Sequence, residues 1–219
     1  MTVRATVFDM DGLLIDSEVL WHRAEVEIFG RLGVPITQEQ DRSTKGMYVD
    51  EVVAFWYAHY PWAGARLEEV SEALLARVGE LIEAEGRLLP GATRAVALAS
   101  ARGPVALASS TPRPLIERSL RHFGLLDAFA SIHSADVEPF GKPHPGVFLT
   151  AAAALGLPGP ACLVFEDSAA GVLAAKAGRM NVVAVPVADD RSQVTFALAD
   201  LVLESLEDLS EVWLDQQFS

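Results

Sequence analysis

The chain has one cysteine, Cys162, among 219 residues, so no internal disulfide can form. Cys162 lies in the apolar run 161–165 with no basic neighbour, and reads as a small core residue. Positive charge is also scarce. There are 17 lysines and arginines against 30 aspartates and glutamates, for a net charge of −13. A balance of that sign disfavours non-specific binding to nucleic acid or to an anionic membrane. No apolar run approaches the ~20 residues that a membrane span needs. The first predicted strand begins almost at Met1, which leaves no room for a signal peptide, so the cytoplasm is the expected compartment. The 5 histidines show no paired ligand spacing on a helix, which argues against a zinc site. What remains is a chain that is 51% hydrophobic. It is long enough to bury a core without staples, as one large domain or one domain with a small insertion.

The stretch that organises the rest is Thr6-Val7-Phe8-Asp9-Met10-Asp11-Gly12. Val3, Ala5, Val7 and Phe8 predict a short buried strand. Two carboxylates follow at its end, and Gly12 then breaks the regular structure. Ligands of open α/β sheets sit at the carboxyl ends of strands. Asp9 and Asp11 lie two apart, so extended backbone would put them on one side. Two carboxylates that close repel each other unless a cation or a proton intervenes. Either a hard divalent metal with oxygen ligands or an acid/base division of labour satisfies that requirement. Asp-x-Asp-Gly is also ordinary turn chemistry, so the rest of the chain decides.

After Asp16 the period changes to that of a helix, with Trp21, Ala24, Ile28 and Leu32 in step and Gly33 and Pro35 closing the segment. Val49, Val52, Val53, Trp56 and Tyr60 form a second stripe, and Leu67, Val70, Leu74, Val78 and Leu81 a third. Residues 17–85 thus read as an all-helical block. Beyond Pro90-Gly91 strands alternate with helices. Strands are expected at 105–108, 131–134, 161–165, 182–185 and 201–203, with helices at 93–101, 147–155 and 169–177. Thr111 and Pro112 are expected to cap and start another helix running to about Phe123. Residues 204–215 predict an exposed amphipathic helix. The alternation indicates a parallel sheet with helices on both faces. The helical block enters after the first strand, where it would stand over that strand's carboxyl end as a lid.

Four strand ends or nearby loops carry polar groups: Asp9/Asp11, Ser109/Ser110, Lys142 in Gly141-Lys142-Pro143, and Glu166/Asp167. A parallel sheet would bring them to one edge. A carboxylate there can attack phosphorus and form an acyl-phosphate. Positioning and charge neutralisation do most of the catalysis in such transfers. Mg²⁺ suits the oxygen ligands, and a lysine with hydroxyls would hold the phosphoryl oxygens.

These four segments, Phe8-Asp9-Met10-Asp11-Gly12, Leu107-Ala108-Ser109-Ser110, Gly141-Lys142-Pro143-His144-Pro145 and Phe165-Glu166-Asp167-Ser168, resemble in order the four motifs of the haloacid dehalogenase-like phosphatases. The insertion resembles the helical cap of the subfamily that contains β-phosphoglucomutase and the sugar phosphatases. The resemblance implies a doubly wound, Rossmann-like α/β core at 1–16 and 87–219 with an all-helical cap at 17–86. It implies Asp9 as nucleophile and Mg²⁺ ligand. Asp11 would be general acid and then base, its backbone carbonyl also on the metal. Asp167 would be a metal ligand, with Glu166 helping directly or through water. Asp9, Met10, Ser109, Ser110 and Lys142 would bind the phosphoryl group, and Lys142 would pair with Asp9 as well. Trp21, Lys45 and Gly46 are the candidate cap contacts to substrate. The implied substrate is a small phosphorylated sugar or sugar alcohol, and a monomer is expected.

Asp11 argues against haloacid chemistry, which goes with a sequence lacking the second aspartate. A mutase of the β-phosphoglucomutase type is the alternative. It is disfavoured because Trp21 and Val49 stand where those mutases carry a histidine and an arginine. A receiver-like phosphoacceptor is disfavoured by the order of the acidic residues, and a non-catalytic binding protein by the complete set of chemical groups. Trp56, Tyr57, Tyr60 and Trp62 are read as cap core rather than a sugar platform. His144 is read as a loop residue and Lys176 as solvated. Arg113 is placed either at the site or on the surface.

Overall fold

The computed structural model describes residues 2–36, Thr44 and residues 47–219. Within them six strands form one sheet: β1 (Ala5–Phe8), β2 (Val105–Ser109), β3 (Ser131–Ser134), β4 (Cys162–Glu166), β5 (Asn181–Ala184) and β6 (Leu201–Val202). All neighbouring pairs are parallel, and the order is β3-β2-β1-β4-β5-β6. The chain therefore builds outward from β1 on one side, then returns and builds outward on the other. That makes the carboxyl end of β1 the topological switch point, where open α/β sheets form their ligand crevice.

Side-chain alternation sorts the strands into two faces. Ala5, Val7, Ala106, Ala108 and Val164 join one core cluster, and Phe8, Leu107, Leu163 and Phe165 join the other. Phe8 and Phe165 are register partners, and their rings stack with centroids 4.7 Å apart. Each such fully buried ring contributes about 1.5–3 kcal/mol of transfer free energy. Helices cover both faces, as the sequence predicts. The first cluster takes side chains from α6 (Gly146–Ala154) and α7 (Ala169–Ala177), and the second from α4 (Ala92–Ser100) and α5 (Arg113–His122).

Between β1 and α4 the chain forms α1 (Glu18–Arg31), α2 (Val49–His59) and α3 (Leu67–Glu85). These share a third cluster of their own, built on Phe29, Trp56, Trp62, Leu74 and Leu81 and joined by Leu115 of α5. Trp56 and Trp62 are buried there and Tyr60 packs against them, so these aromatics are packing residues. Tyr57 is more exposed and meets Trp62 edge-on. The chain leaves and re-enters the sheet unit along paired connectors. Asp16 N–H donates to Arg87 O at 2.9 Å and Leu89 N–H to Leu14 O at 2.9 Å.

The C-terminal segment corrects one expectation. In place of one exposed helix there is a 3₁₀ turn (Leu206–Asp208) and then a short α8 (Glu211–Gln217). Leu206, Leu209 and Leu214 are buried in the core cluster beside α4. Their spacing is that of an apolar stripe, and the face of the sheet beside α4 takes it up. No helix among the described residues is long and apolar enough to cross a membrane.

Candidate active site

The ladder carries Asp9 just past the end of β1, since its N–H donates to Phe165 O at 3.0 Å. Gly12 then turns the chain at φ +74°, a conformation that favours glycine, and a Cβ there would overlap the Asp167 carboxylate. The turn lets the acidic loop after β4 approach the loop after β1. A cavity of about 120 Å³ opens at this edge. Asp9, Asp11, Ser109, Ser110, Lys142, Glu166 and Asp167 line it from the sheet, and Glu18, Trp21, Glu25, Thr44, Met47 and Val49 from the helical insertion. The core residues singled out in the sequence therefore meet at one place. Met10 differs from them: its side chain is buried in the core, leaving only its backbone to face a ligand. Lys45 and Gly46 lie outside the described residues.

Lys142 is the electrostatic centre. Its buried ammonium donates to Asp9 Oδ1 at 2.6 Å and to Glu166 Oε1 at 2.6 Å, and it lies 4.7 Å from the centroid of the Phe148 ring. Glu166 is held in turn by the backbone N–H of Ser168 at 2.7 Å and the Ser168 hydroxyl at 2.9 Å, both on Oε2. Burial acts to lower the Lys142 pKa, but the charges of Asp9 and Glu166 outweigh it and hold the group above its ordinary value. Burial pushes the Asp9 carboxyl up to about 8; Lys142 opposes this, while Glu166 and Asp11 add to it. Among the described residues this edge is thus short of positive charge.

Asp9, Glu166 and Asp167 each offer a carboxylate oxygen, all within 4.8 Å of one another. This is an all-oxygen, buried donor set of the kind a hard divalent cation takes. The Asp11 carboxylate is not part of that cluster. Oδ1 accepts from the Ser17 hydroxyl at 2.6 Å and from the Trp21 indole at 3.1 Å. Oδ2 accepts from the Thr111 hydroxyl at 2.7 Å and from the Ser109 hydroxyl at 3.4 Å. The two aspartates line one cavity but live in different electrostatic surroundings, one against an ammonium and one among neutral donors.

Thr111 corrects a second expectation. The helix cap is Pro112, and α5 begins at Arg113 with Pro114 in its first turn. The Thr111 hydroxyl goes instead to Asp11. The signal lies in the three consecutive hydroxyls Ser109, Ser110 and Thr111 at a strand end, but a Thr-Pro pair reads equally well as capping chemistry. The sequence pattern does not mark Ser17, Glu25 and Met47 as site residues, although Ser17 and Glu25 each lie one helical turn from Trp21. Arg113 is exposed and bonds Glu117 and Ile132 O, away from the cavity. His144 is exposed on the loop beside Lys142 and accepts from Gly146 N–H at 3.1 Å. Lys176 pairs with Asp200 at 2.8 Å.

Comparison with known proteins agrees with this geometry. Residues 3–179 match the family described as haloacid dehalogenase-like hydrolase. The chain is similar to hexitol phosphatase B of Escherichia coli (strain K12), 44% identical over 210 residues that cover 95% of each protein. The crystal structure of CbbY from Rhodobacter sphaeroides in complex with phosphate superposes with a TM-score of 0.86 at 30% identity, over 95% of this chain and 96% of that one. A second CbbY structure, a mutant in complex with xylulose-(1,5)-bisphosphate, gives a TM-score of 0.86 at 29% identity over the same shares. The chain belongs to the haloacid dehalogenase-like hydrolases and is a phosphatase among them.

Proposed function

We propose that this phosphatase hydrolyses small sugar phosphates or hexitol phosphates through a phosphoryl group carried on Asp9. The observation that carries the reading is the contrast between the two neighbouring carboxylates. Asp9 is buried against Lys142, with Asp167 and Glu166 close by. Asp11 is gathered by four neutral donors. Carboxylates whose surroundings differ in this way divide nucleophilic and acid/base work.

In this reading Asp11 is protonated when substrate is bound, a neighbouring hydroxyl turning to accept from it; an Asp9 oxygen attacks phosphorus, the bond to the leaving oxygen breaks, and Asp11 gives that leaving oxygen its proton. Asp11 then takes a proton from water as the water's oxygen attacks phosphorus. The Asp9–phosphate bond breaks, which releases inorganic phosphate and restores the Asp9 carboxylate. Lys142 and the Ser109 hydroxyl hold the phosphoryl oxygens, Ser110 sits beside them, and the backbone of Met10 faces the same group. Asp9, Asp167 and the Asp11 carbonyl would hold Mg²⁺, with Glu166 behind them. When bound, the ion neutralises phosphoryl charge. Glu166 gives one oxygen to Lys142 and the other to Ser168, so its main contribution is to orient the lysine. Residues 17–86 act as the cap over a core of 1–16 and 87–219, and exclude bulk water from the phosphoryl intermediate. The similarity to hexitol phosphatase B supports the substrate class. Val49 presents an apolar wall, which favours hydrolysis over the mutase alternative.

The test is phosphate release from hexose, deoxyhexose, hexitol and triose phosphates, with Mg²⁺ and with chelator. The expected result is Mg²⁺-dependent release, fastest on hexose or hexitol phosphates and lost in Asp9→Asn with the fold intact. Normal turnover by Asp9→Asn would overturn the mechanism. Conversion of β-glucose 1-phosphate to glucose 6-phosphate without release would establish the mutase instead.

A further inference from the structure

Every polar group of Thr111 is engaged. Its hydroxyl donates to Asp11 Oδ2 at 2.7 Å, and its N–H donates to Ser109 Oγ at 3.0 Å. Its carbonyl accepts from the Ser134 hydroxyl at 2.7 Å. Ser109, Thr111 and Ser134 are all buried. Ser109 and Ser134 are the last register partners of β2 and β3, so the backbone ladder ends there. Thr111 lies past that end, in the link between β2 and α5. The Ser134 hydroxyl therefore carries the tie between the two strands beyond their ladder. Its direction is set, because its oxygen already accepts from Asp136 N–H at 3.1 Å, capping the 3₁₀ turn (Ala135–Val137). A hydroxyl has a single proton to give, and here the Thr111 carbonyl takes it. The same turn holds the start of α5 through Arg113 N–H to Asp136 Oδ2 at 3.2 Å. Thr111 also precedes Pro112, which restricts its backbone to extended conformations, and a β-branched side chain has few rotamers. Where the Thr111 backbone sits thus decides where its hydroxyl points.

We infer that Ser134 is a positioning residue for proton delivery. By holding the Thr111 carbonyl it aims the Thr111 hydroxyl, and through that hydroxyl it aims Asp11 at the leaving oxygen. This rests on the phosphatase reading above, in which Asp11 protonates that oxygen. Ser134 itself does not line the cavity, so it acts only through Thr111. A misplacement of about 1 Å at a reacting group can cost about a hundredfold in rate, which is why a contact outside the cavity matters to the chemistry.

The experiment sets Ser134→Ala, Thr111→Val and the double variant against the wild type, on a hexitol 6-phosphate and on p-nitrophenyl phosphate. An alkoxide needs a proton to leave, whereas p-nitrophenolate departs without one. In Ser134→Ala kcat/KM for the hexitol ester is expected to fall about five- to tenfold, while that for p-nitrophenyl phosphate stays within about twofold. Thr111→Val, which leaves Ser134 and its cap in place, should show the same selective loss. The double variant should lose little more on the hexitol ester than Thr111→Val alone, because the two residues act in series. Equal losses on the two esters would mean a merely structural contact and overturn the inference. So would wild-type kcat/KM on the hexitol ester in folded Ser134→Ala, or single losses that multiply in the double variant. Asp11→Asn distinguishes failure of the underlying reading: wild-type turnover of the hexitol ester by that variant removes Asp11 as the acid, whatever Ser134 does.

Discussion

The indole N–H of Trp21 donates to Asp11 Oδ1 at 3.1 Å, which ties the first helix of the insertion to the second carboxylate of the sheet edge. Ser17, one turn earlier, donates to the same oxygen at 2.6 Å. The first turn of α1 therefore presents two donors to one acceptor, while Thr111 holds the other oxygen from the core side. An indole N–H only donates and stays neutral. This contact fixes where the carboxylate points, and it exists only while α1 lies over the edge.

Trp21→Phe tests that positioning role. The ring remains as an apolar wall, and one donor to a charged acceptor is lost. Such a bond contributes about 1.5–3 kcal/mol in general, and less at a half-buried position with three other donors in place. We expect kcat to fall about five- to tenfold while KM changes less than about twofold, because the lost contact serves the reacting group more than the bound substrate. Trp21→Gln, which restores an N–H donor, should recover part of the loss. Steady-state phosphate release checks both. A Trp21→Phe enzyme with wild-type kcat would show that Ser17 and Thr111 alone position Asp11.

A glycine makes the second prediction. An added Cβ at Gly171, in the first turn of α7, would overlap the Glu166 carboxylate. Glu166 cannot retreat without breaking its bonds to Ser168 and Lys142. Gly171→Ala should therefore act in two ways. Overpacking of this kind costs about 1–3 kcal/mol, read as a lower midpoint in urea. Displacing Glu166 also leaves Lys142 less firmly placed, so turnover should fall well beyond what the loss of folded protein explains. A variant with wild-type stability and turnover would mean that the loop after β4 yields freely.

How far the sequence discloses this site depends on which interaction controls each residue. The strands at 131–134 and the helix at 169–177 follow their patterns closely, because local periodicity and flanking breakers decide them. Asp9, Ser109, Lys142 and Asp167 are legible because each closes a strand or its following loop in a parallel alternation, and topology alone brings such ends together. Thr111 is not, since a hydroxyl before proline has a sound local use as a cap, and only the tertiary approach of Asp11 draws it elsewhere. Glu25 is hidden for a related reason. On a helical wheel an acid beside Ala24 and Ile28 reads as a boundary residue, and nothing local reveals that the boundary is a cavity wall. The docking of Leu206, Leu209 and Leu214 is likewise a demand of the sheet, not of the segment itself.

The seam between insertion and core should respond to acid. Arg118 on α5 grips Glu83 on α3 through two bonds, Nε to Oε1 at 2.7 Å and Nη2 to Oε2 at 2.6 Å. A Cβ at Gly79 would crowd that guanidinium, so the glycine leaves room for it against α3. The hydrogen bonds from Arg118 hold the Glu83 carboxyl below its ordinary value of 4.5. Within the insertion, Arg77 does the same for Glu27. A carboxyl whose pKa is depressed on folding adds stability that is fully present above the unfolded value and is lost as pH falls through the folded one. Acidification from about pH 6 to below about pH 4 should therefore loosen the contact of α3 with α5 before the sheet gives way. Hydrogen exchange, corrected for the intrinsic pH dependence of amide rates, should show protection in α3 falling while β1 and β4 stay protected. Glu83→Gln should show the looser seam already at neutral pH and respond less to acid. Uniform loss of protection across α3 and β1 in the wild type would show that the seam is held by Leu115 and its apolar neighbours, with the ion pair adding nothing measurable.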